Sequence, residues 1–249
     1  MYVEKTTRYG NRIEVEKHHT SKYRKAGEKR KKKEKPTAEA VKANNLKRMR
    51  HWLFMLLVCN FCVGDYHVVL TYSDQTLPEQ DLAKKYLQKF FRQMRREYRR
   101  RGKELKWICT TEISKKGRIH HHVVMTGCAD FAQLLAEYWT YGGKHLTPMY
   151  RDNDYEGLAD YLTKSTADTF DEPDSSFRKR YTCSRNLEKP EVTTRVIGSG
   201  EWRKKPKVSE KQKADGWYIR PDSVVQGTDL FGFTYQKYVI EKAEEKKRR

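Results

Sequence analysis

The feature that most constrains the fold is a pair of short apolar segments on either side of a basic turn. The segments LKWICTTEI (105–113) and RIHHHVVMTG (118–127) are rich in β-branched and aromatic residues. Between them lies SKKG, whose glycine suits a tight connection between antiparallel strands. The stretch therefore predicts a β-hairpin, with three consecutive histidines in its second strand.

The length of the turn decides which side chains of the hairpin share a face. A three-residue turn with Gly117 in the left-handed conformation pairs Ser114 with Arg118 and places Glu112 directly opposite His120. A turn one residue shorter or longer would move Glu112 to the other face. The position of the glycine favours the three-residue form.

The remaining segments alternate between helical and extended patterns. Thr37 is a predicted N-cap for a helix that ends in the apolar run WLFMLLV. DYHVVLTYS (65–73) predicts a strand, and TLPE (76–79) predicts the start of a helix through a capping box. No glycine-rich phosphate loop accompanies these elements. The pattern favours an α+β fold, an antiparallel β-sheet with flanking helices, over a doubly wound parallel sheet.

The charge of the chain is strongly positive. Its 249 residues carry a formal net charge of +20 at pH 7, which favours a polyanionic partner, above all nucleic acid. The five cysteines are an odd number and indicate reduced thiols in a cytoplasmic protein rather than a disulfide framework. No apolar run reaches the roughly 18 residues of a membrane span, so no membrane partner is expected.

The histidine triplet predicts a divalent metal site. Alternation along a strand puts His120 and His122 on one face and His121 on the other. With Glu112 across the hairpin, this face offers two imidazoles and a carboxylate. Two alternatives remain open: the histidines are hydrogen-bonded surface residues, or a zinc site uses the CxxC at residues 59–62 together with His67.

A short helix at residues 152–166 offers a nucleophile. Tyr155 belongs to its apolar stripe and is expected in the core, whereas Tyr161 lies about 120° away from that stripe. Lys164 is the i+3 neighbour of Tyr161. Its ammonium group would favour the phenolate and neutralise a phosphate oxygen.

These motifs together resemble the HUH endonucleases, in which two histidines flank one residue and a YxxK helix follows. GRIHHHVVM and ADYLTKS carry the resemblance, and NFCVGDYHVVLTYSD and KRYTCSRNLEKPE are similar to flanking segments of rolling-circle replication initiators from plasmids, phages and related mobile elements. The resemblance covers about residues 37–195. The middle position of the histidine motif is usually apolar in that family but is His121 here, which leaves open whether His121 takes part in ligation.

The resemblance implies a nuclease domain of the HUH type, with an RRM-like sheet, over residues 37–195. Residues 1–36 would be a basic, flexible arm, and residues 196–249 an extension of unknown role. Glu112, His120 and His122 would hold Mg²⁺ or Mn²⁺, and Tyr161 would attack a DNA phosphate with support from Lys164.

The implied reaction leaves a 5′-phosphotyrosine link and a free 3′-hydroxyl. The substrate would be single-stranded DNA or an origin hairpin, and a host helicase and polymerase would be partners, since the sequence contains no P-loop motif. Phosphate contacts are expected from a basic helix and from the hairpin turn, at Lys84, Lys85, Lys89, Arg92, Arg95, Arg96 and Arg118. Alternatives are a relaxase or single-strand transposase of the same chemistry, or a non-enzymatic nucleic-acid-binding protein.

Overall fold

The structure, a computed structural model, describes most of the chain and divides it into two units. One unit is Thr37–Glu188, and the other combines Met1–Pro36 with Lys189–Arg249. The described residues are 1–20, 37–150, 155–164, 166, 175–177, 179–228 and 232–243.

The first unit is built on a five-stranded antiparallel sheet in the order β6-β3-β5-β4-β7. Its strands are β3 (Tyr66–Leu70), β4 (Trp107–Ile113), β5 (Ile119–Met125), β6 (Lys144–Pro148) and β7 (Thr182–Cys183). Its helices are α1 (Ala38–Asn60), α2 (Gln80–Arg100), α3 (Phe131–Tyr138) and α4 (Glu156–Lys164). The predicted hairpin is therefore formed by β4 and β5, with β5 at the centre of the sheet.

The main core of this unit lies on one face of the sheet. There α2 and α3 bury side chains such as Phe90, Met94 and Leu135 against Val68 and Val123 of the strands. Burial of large apolar side chains stabilises the fold by about 1.5–3 kcal/mol for each residue. This packing leaves the opposite face of the sheet to other elements.

Helices α1 and α4 pack against each other, and Tyr161 of α4 lies against the opposite face of the sheet. The predicted N-cap of α1 is confirmed, since the backbone N–H of Ala40 donates to Thr37 Oγ1 at 3.2 Å. The predicted capping box at TLPE is wrong: residues Asp74–Thr76 form a 3₁₀ turn, and α2 begins at Gln80 behind the N-cap Glu79.

The second unit is a six-stranded antiparallel sheet. Four strands follow the order β11-β2-β1-β8, while β9 and β10 both pair with β11. The strands are β1 (Tyr2–Tyr9), β2 (Arg12–His19), β8 (Glu191–Ile197), β9 (Trp217–Ile219), β10 (Val225–Thr228) and β11 (Thr234–Lys242). Two short helices, α5 (Ser199–Trp202) and α6 (Glu210–Ala214), lie between β8 and β9.

This sheet corrects the expectation of a flexible arm at the N-terminus. Residues 2–19 form a hairpin whose charged side chains are paired across strands: Arg12 with Glu241 at 2.8 Å, and Lys237 with both Glu14 and Glu16. These ion pairs compensate the burial of charge that the sequence seemed to exclude. The remainder of the expected arm, residues 21–36, lies outside the described residues.

The expected domain boundary at residue 195 also differs from the structure. Strand β8 pairs with β1 along its whole length, from Tyr2 opposite Ile197 to Arg8 opposite Glu191. Its backbone hydrogen bonds therefore belong to the second sheet. Residues 196–249 do not form a separate extension, because β9, β10 and β11 join strands from both ends of the chain.

The fold class is α+β, with antiparallel sheets and flanking helices, as predicted. Among the described residues, no helix combines the length and apolar character needed to span a lipid bilayer.

Candidate active site

The β4–β5 turn has the predicted three-residue form. The backbone N–H of Ser114 donates to the carbonyl of Arg118 at 2.8 Å, and Gly117 adopts φ +73°, a left-handed conformation that favours glycine. The register places Glu112 directly opposite His120. Because residues two apart share a face, Glu112, His120 and His122 all project from the same side of the sheet.

His121 lies on the opposite face, inside the main core. Its side chain is fully buried, and both ring nitrogens have partners: Nε2 with the Tyr72 hydroxyl and Nδ1 with Thr111 Oγ1, each at 2.9 Å. Burial lowers the pKa of His121 to about 3, with a smaller contribution from the neighbouring histidines. These contacts describe a structural histidine that fills the core and leaves ligation to the other face.

His122 and Glu112 are in direct contact. His122 Nε2 lies 3.2 Å from Glu112 Oε2, and the imidazole is almost completely buried. Burial lowers the pKa of His122, while the hydrogen bond and the charge of Glu112 act in the opposite direction. An imidazole nitrogen and a carboxylate oxygen thus meet at one point, and His120 occupies the strand position opposite Glu112.

The donor types fit a divalent cation that accepts mixed oxygen and nitrogen ligands, as Mn²⁺ does, whereas Mg²⁺ prefers oxygen. In the described parts of the chain, no group of three or more His, Cys, Asp or Glu side chains is already arranged around a common metal position. The zinc alternative at Cys59, Cys62 and His67 therefore gains no support from these residues. Glu112 and His122 converge, and a complete set requires the His120 side chain to join them.

Helix α4 brings Tyr161 onto this face. Ala159, Leu162 and Thr163 are buried and fix the helix, whereas Tyr161 remains 48% exposed. The phenol ring stands edge-on to His122, with ring centroids 5.1 Å apart and an interplanar angle of 89°. Partial burial and the charge of Glu112 raise the pKa of Tyr161 above its usual value. The sequence prediction that Tyr161 lies beside the histidine pair thus agrees with the geometry.

The expected core position of Tyr155 is confirmed. This residue is buried, and its hydroxyl donates to the backbone carbonyl of Phe61 at 3.0 Å. The bond ties the start of α4 to the end of α1. Of the two tyrosines, Tyr161 is therefore the one whose hydroxyl belongs to the exposed face.

Lys164 does not act on Tyr161 as the sequence suggested. Its side chain is 79% exposed, and its ammonium group lies 3.9 Å from Asp160, which also binds Arg50 at 2.7 Å. The pKa of Tyr161 is raised rather than lowered, because burial and the charge of Glu112 dominate its surroundings. In this arrangement the phenolate receives no support from Lys164.

The basic side of α2 lies away from Tyr161. The helix packs on the core face of the sheet, so the sheet separates its exposed cations from the imidazoles of His120 and His122. Lys84 contacts Asp81 and the carbonyl of Ser176. The other predicted phosphate contacts on this helix are at Lys85, Lys89, Arg92, Arg95 and Arg96.

An open cleft of about 620 Å³ on α2 is lined by arginines together with Gln93. Its arginines are Arg92, Arg95, Arg96, Arg99 and Arg100. Arg118 is separate from this cleft, at the β4–β5 turn, where it pairs with Asp74 at 2.5 Å. The predicted DNA-contacting residues therefore fall into two groups.

Sequence reasoning missed the place of His67 in this site. Val69 of β3 pairs with His122, so His67, two residues before, shares the face of His122. Its ring centroid lies 5.9 Å from that of His122 and 5.8 Å from that of Tyr161. The alternation in DYHVVLTYS already places His67 and Val69 together, but only the β3–β5 register brings them to the histidine pair.

His67 is chemically unusual. Its Nε2 atom is buried and has no hydrogen-bond partner within the described residues. Burial lowers the pKa of His67 to about 4, and the charges of His122 and His145 act in the same direction. The ring is therefore neutral near pH 7.

Comparison with known protein families relates this site to replication proteins. Residues 65–166 match the family model described as replication-associated protein ORF2. The matched segment begins at β3 and ends just after α4, and it contains the whole site from His67 to Tyr161 and Lys164. It spans less than half of the chain. Comparisons with curated proteins and with solved structures give no match.

Proposed function

We propose that this chain is a replication initiator that nicks single-stranded origin DNA by attack of Tyr161. The observation that carries the proposal is the phenol of Tyr161 standing 5.1 Å from the His122 ring, which in turn contacts Glu112. The arrangement lies within the segment similar to replication-associated proteins, and the positive charge of the chain suits a DNA substrate.

In the proposed reaction, the Tyr161 oxygen forms a bond to phosphorus, and the bond from phosphorus to the 3′-oxygen breaks. The phenol loses its proton, and the departing oxygen gains one to become a free 3′-hydroxyl. The product is a 5′-phosphotyrosine link that conserves the phosphodiester, so another 3′-hydroxyl can reverse the step. A polymerase of the host extends the free end, and a host helicase opens the duplex.

Glu112, His120 and His122 are the proposed ligands of Mg²⁺ or Mn²⁺. When bound, the cation supplies Lewis-acid polarisation of the scissile phosphate. The chain itself contributes two further features: a buried imidazole, that of His122, whose lowered pKa favours the neutral ring, and a nucleophile on an exposed helix face. A single strand reaches such a face more readily than a phosphate held within a duplex.

Lys164 and the cations of α2 are proposed to contact DNA phosphates. Lys164 is exposed and one turn from Tyr161, so its ammonium group can exchange Asp160 for a phosphate oxygen. The α2 cations lie on the other side of the sheet and are assigned to DNA that flanks the cleavage point. Arg118 at the hairpin turn is assigned to the same electrostatic contact.

Substitution of Tyr161 tests the proposal. With Mn²⁺ and a pool of random-sequence single-stranded DNA labelled at the 3′ end, the native protein should give a labelled covalent adduct on a denaturing gel. Tyr161→Phe should abolish the adduct and keep DNA binding, because only the nucleophilic oxygen is removed. Mass spectrometry of the linked peptide should identify Tyr161.

The matched control is Tyr150→Phe, which removes the hydroxyl of a residue that is 75% exposed. This variant should form the adduct at the native level. Equal adduct formation by Tyr161→Phe and the native protein would refute the assignment. Binding without an adduct in the native protein would favour a non-enzymatic nucleic-acid-binding protein.

A further inference from the structure

His67 occupies a position where an apolar residue would be the simpler choice. It lies in the middle strand of three, β6-β3-β5, with its Nε2 atom buried and without a partner in the described residues. A buried polar atom without a hydrogen bond costs about 1–3 kcal/mol. An apolar side chain of similar size would avoid that cost, so the nitrogen needs a partner that binds during function.

The nearest polar group able to move is the hydroxyl of Tyr161. The Tyr161 side chain is only partly buried, and its ring stands edge-on to both imidazoles, at 76° to His67 and 89° to His122. His67 and His122 thus form a seat for the phenol from two neighbouring strands. A small rotation of an exposed tyrosine costs little compared with a core side chain.

The three groups have different tasks because their surroundings differ. His122 Nε2 is directed to Glu112, whereas the ring neighbours of His67 are His122 and Tyr161. A neutral imidazole has one nitrogen that accepts a hydrogen bond. His67 can therefore hold the phenol without competing for the cation.

We propose that His67 is a positioning residue for Tyr161: its ring is one wall of the seat, and its unpartnered nitrogen accepts a hydrogen bond from the Tyr161 hydroxyl. The bond orients the phenol oxygen before attack. The inference rests on the proposed function for its role in cleavage, but the hydrogen bond itself is a property of the protein alone.

Three variants separate the ring from its nitrogen. His67→Phe keeps a ring and removes the acceptor, His67→Gln restores an acceptor without the ring, and His67→Ala removes both. For cleavage of single-stranded DNA, His67→Phe should lower kcat by about tenfold or more with KM nearly unchanged, since misplacement of a nucleophile acts on the chemical step. His67→Gln should recover part of the loss, and Mn²⁺ affinity measured calorimetrically should stay at the native level in all three.

A spectroscopic measurement tests the hydrogen bond without cleavage. Fluorotyrosine placed at position 161 should give a ¹⁹F chemical shift that moves in His67→Phe and returns towards the native value in His67→Gln. Thermal unfolding of each variant identifies any that fails to fold, and the glutamine variant then carries the comparison.

The outcomes are distinct. An unchanged ¹⁹F shift together with native kcat in His67→Phe would overturn the inference while leaving Tyr161 as the nucleophile. A large loss of Mn²⁺ affinity in that variant would also overturn it, because His67 would then be a metal ligand. If the native protein fails to cleave but the ¹⁹F shift responds to His67, the proposed function fails and the hydrogen bond stands.

Discussion

Glu112 has the same electrostatic effect on two groups with opposite needs. Its negative charge raises the pKa of His122, which makes protonation of a proposed ligand easier, and it raises the pKa of Tyr161, which makes the phenolate harder to form. Both effects oppose the proposed chemistry while the carboxylate carries an unbalanced charge. The site is therefore coherent only if the charge of Glu112 is neutralised during the reaction.

Replacement of Glu112 by glutamine should separate these effects. In the metal-free protein, Glu112→Gln should lower the pKa of both His122 and Tyr161, because the charge that raises each of them is gone. NMR titration of the imidazole and of a fluorotyrosine at position 161 measures the two shifts. Mn²⁺ affinity should fall by about tenfold or more, since a charged oxygen ligand becomes neutral.

Glu104→Gln is the matched control for this prediction, since Glu104 is an exposed carboxylate of the same unit. It should leave both pKa values and Mn²⁺ binding at native levels. Native Mn²⁺ affinity in Glu112→Gln would remove this residue from the ligand set.

At the scale of secondary structure, the turn between β4 and β5 controls the site. Its left-handed glycine fixes a three-residue connection, and this register alone places Glu112 with His120 and His122. No atom lies within 4 Å of a Cβ added at Gly117. The requirement for glycine there is conformational and not steric.

Gly117→Ala should destabilise the protein by about 1 kcal/mol, the cost of a left-handed conformation for an ordinary residue. Gly117→Asn should cost less, because asparagine tolerates that conformation. Gly157→Ala, on the exposed side of α4 and equally free of clashes, should instead stabilise by about 0.5–1 kcal/mol. Urea unfolding measures all three, and equal effects at Gly117 and Gly157 would contradict the conformational explanation.

Local signals account for the parts of the structure that the sequence predicted. Gly117 sets a register over a few residues, and Thr37 caps its own helix. The misplaced start of α2 is also local: Thr76 bonds to Ser73 and to the carbonyl of Tyr141 instead of capping the helix. Here a contact across 65 residues overrode a short motif.

The parts that sequence reasoning missed depend on distant pairings. The N-terminal hairpin is completed by β8 and β11, whose strands follow almost 200 residues later in the chain. His67 joins the site only through pairing of β3 with β5. No pattern within a single segment specifies such partners, because the hydrogen bonds that select them form between strands far apart in sequence.

At the scale of the whole molecule, the unit Thr37–Glu188 presents two different faces. One carries Tyr161 and the imidazoles, and the other carries α2, whose Lys85, Lys89, Arg92 and Arg96 follow one side of the helix over about 17 Å. Like charges four residues apart destabilise a helix by a few tenths of a kcal/mol for each pair. Lys85, Lys89 and Arg92 have no ion pair with any described residue, so a polyanion is the partner that would compensate them.

The two faces predict that binding and cleavage can be separated. Lys89→Gln, Arg92→Gln and Arg96→Gln combined should weaken binding to a duplex with a single-stranded tail and reduce the slope of log K against log salt by about 0.9 for each phosphate that is no longer neutralised. Cleavage of a short single-stranded oligonucleotide at saturating concentration should remain within about twofold of native, because the sheet lies between α2 and Tyr161. A variant with Arg92→Lys and Arg96→Lys, which keeps the charge, should retain both the affinity and the slope. A fall in cleavage of the short oligonucleotide in step with weaker duplex binding would show that the α2 cations act at the cleavage point, and the assignment of separate faces would then be wrong.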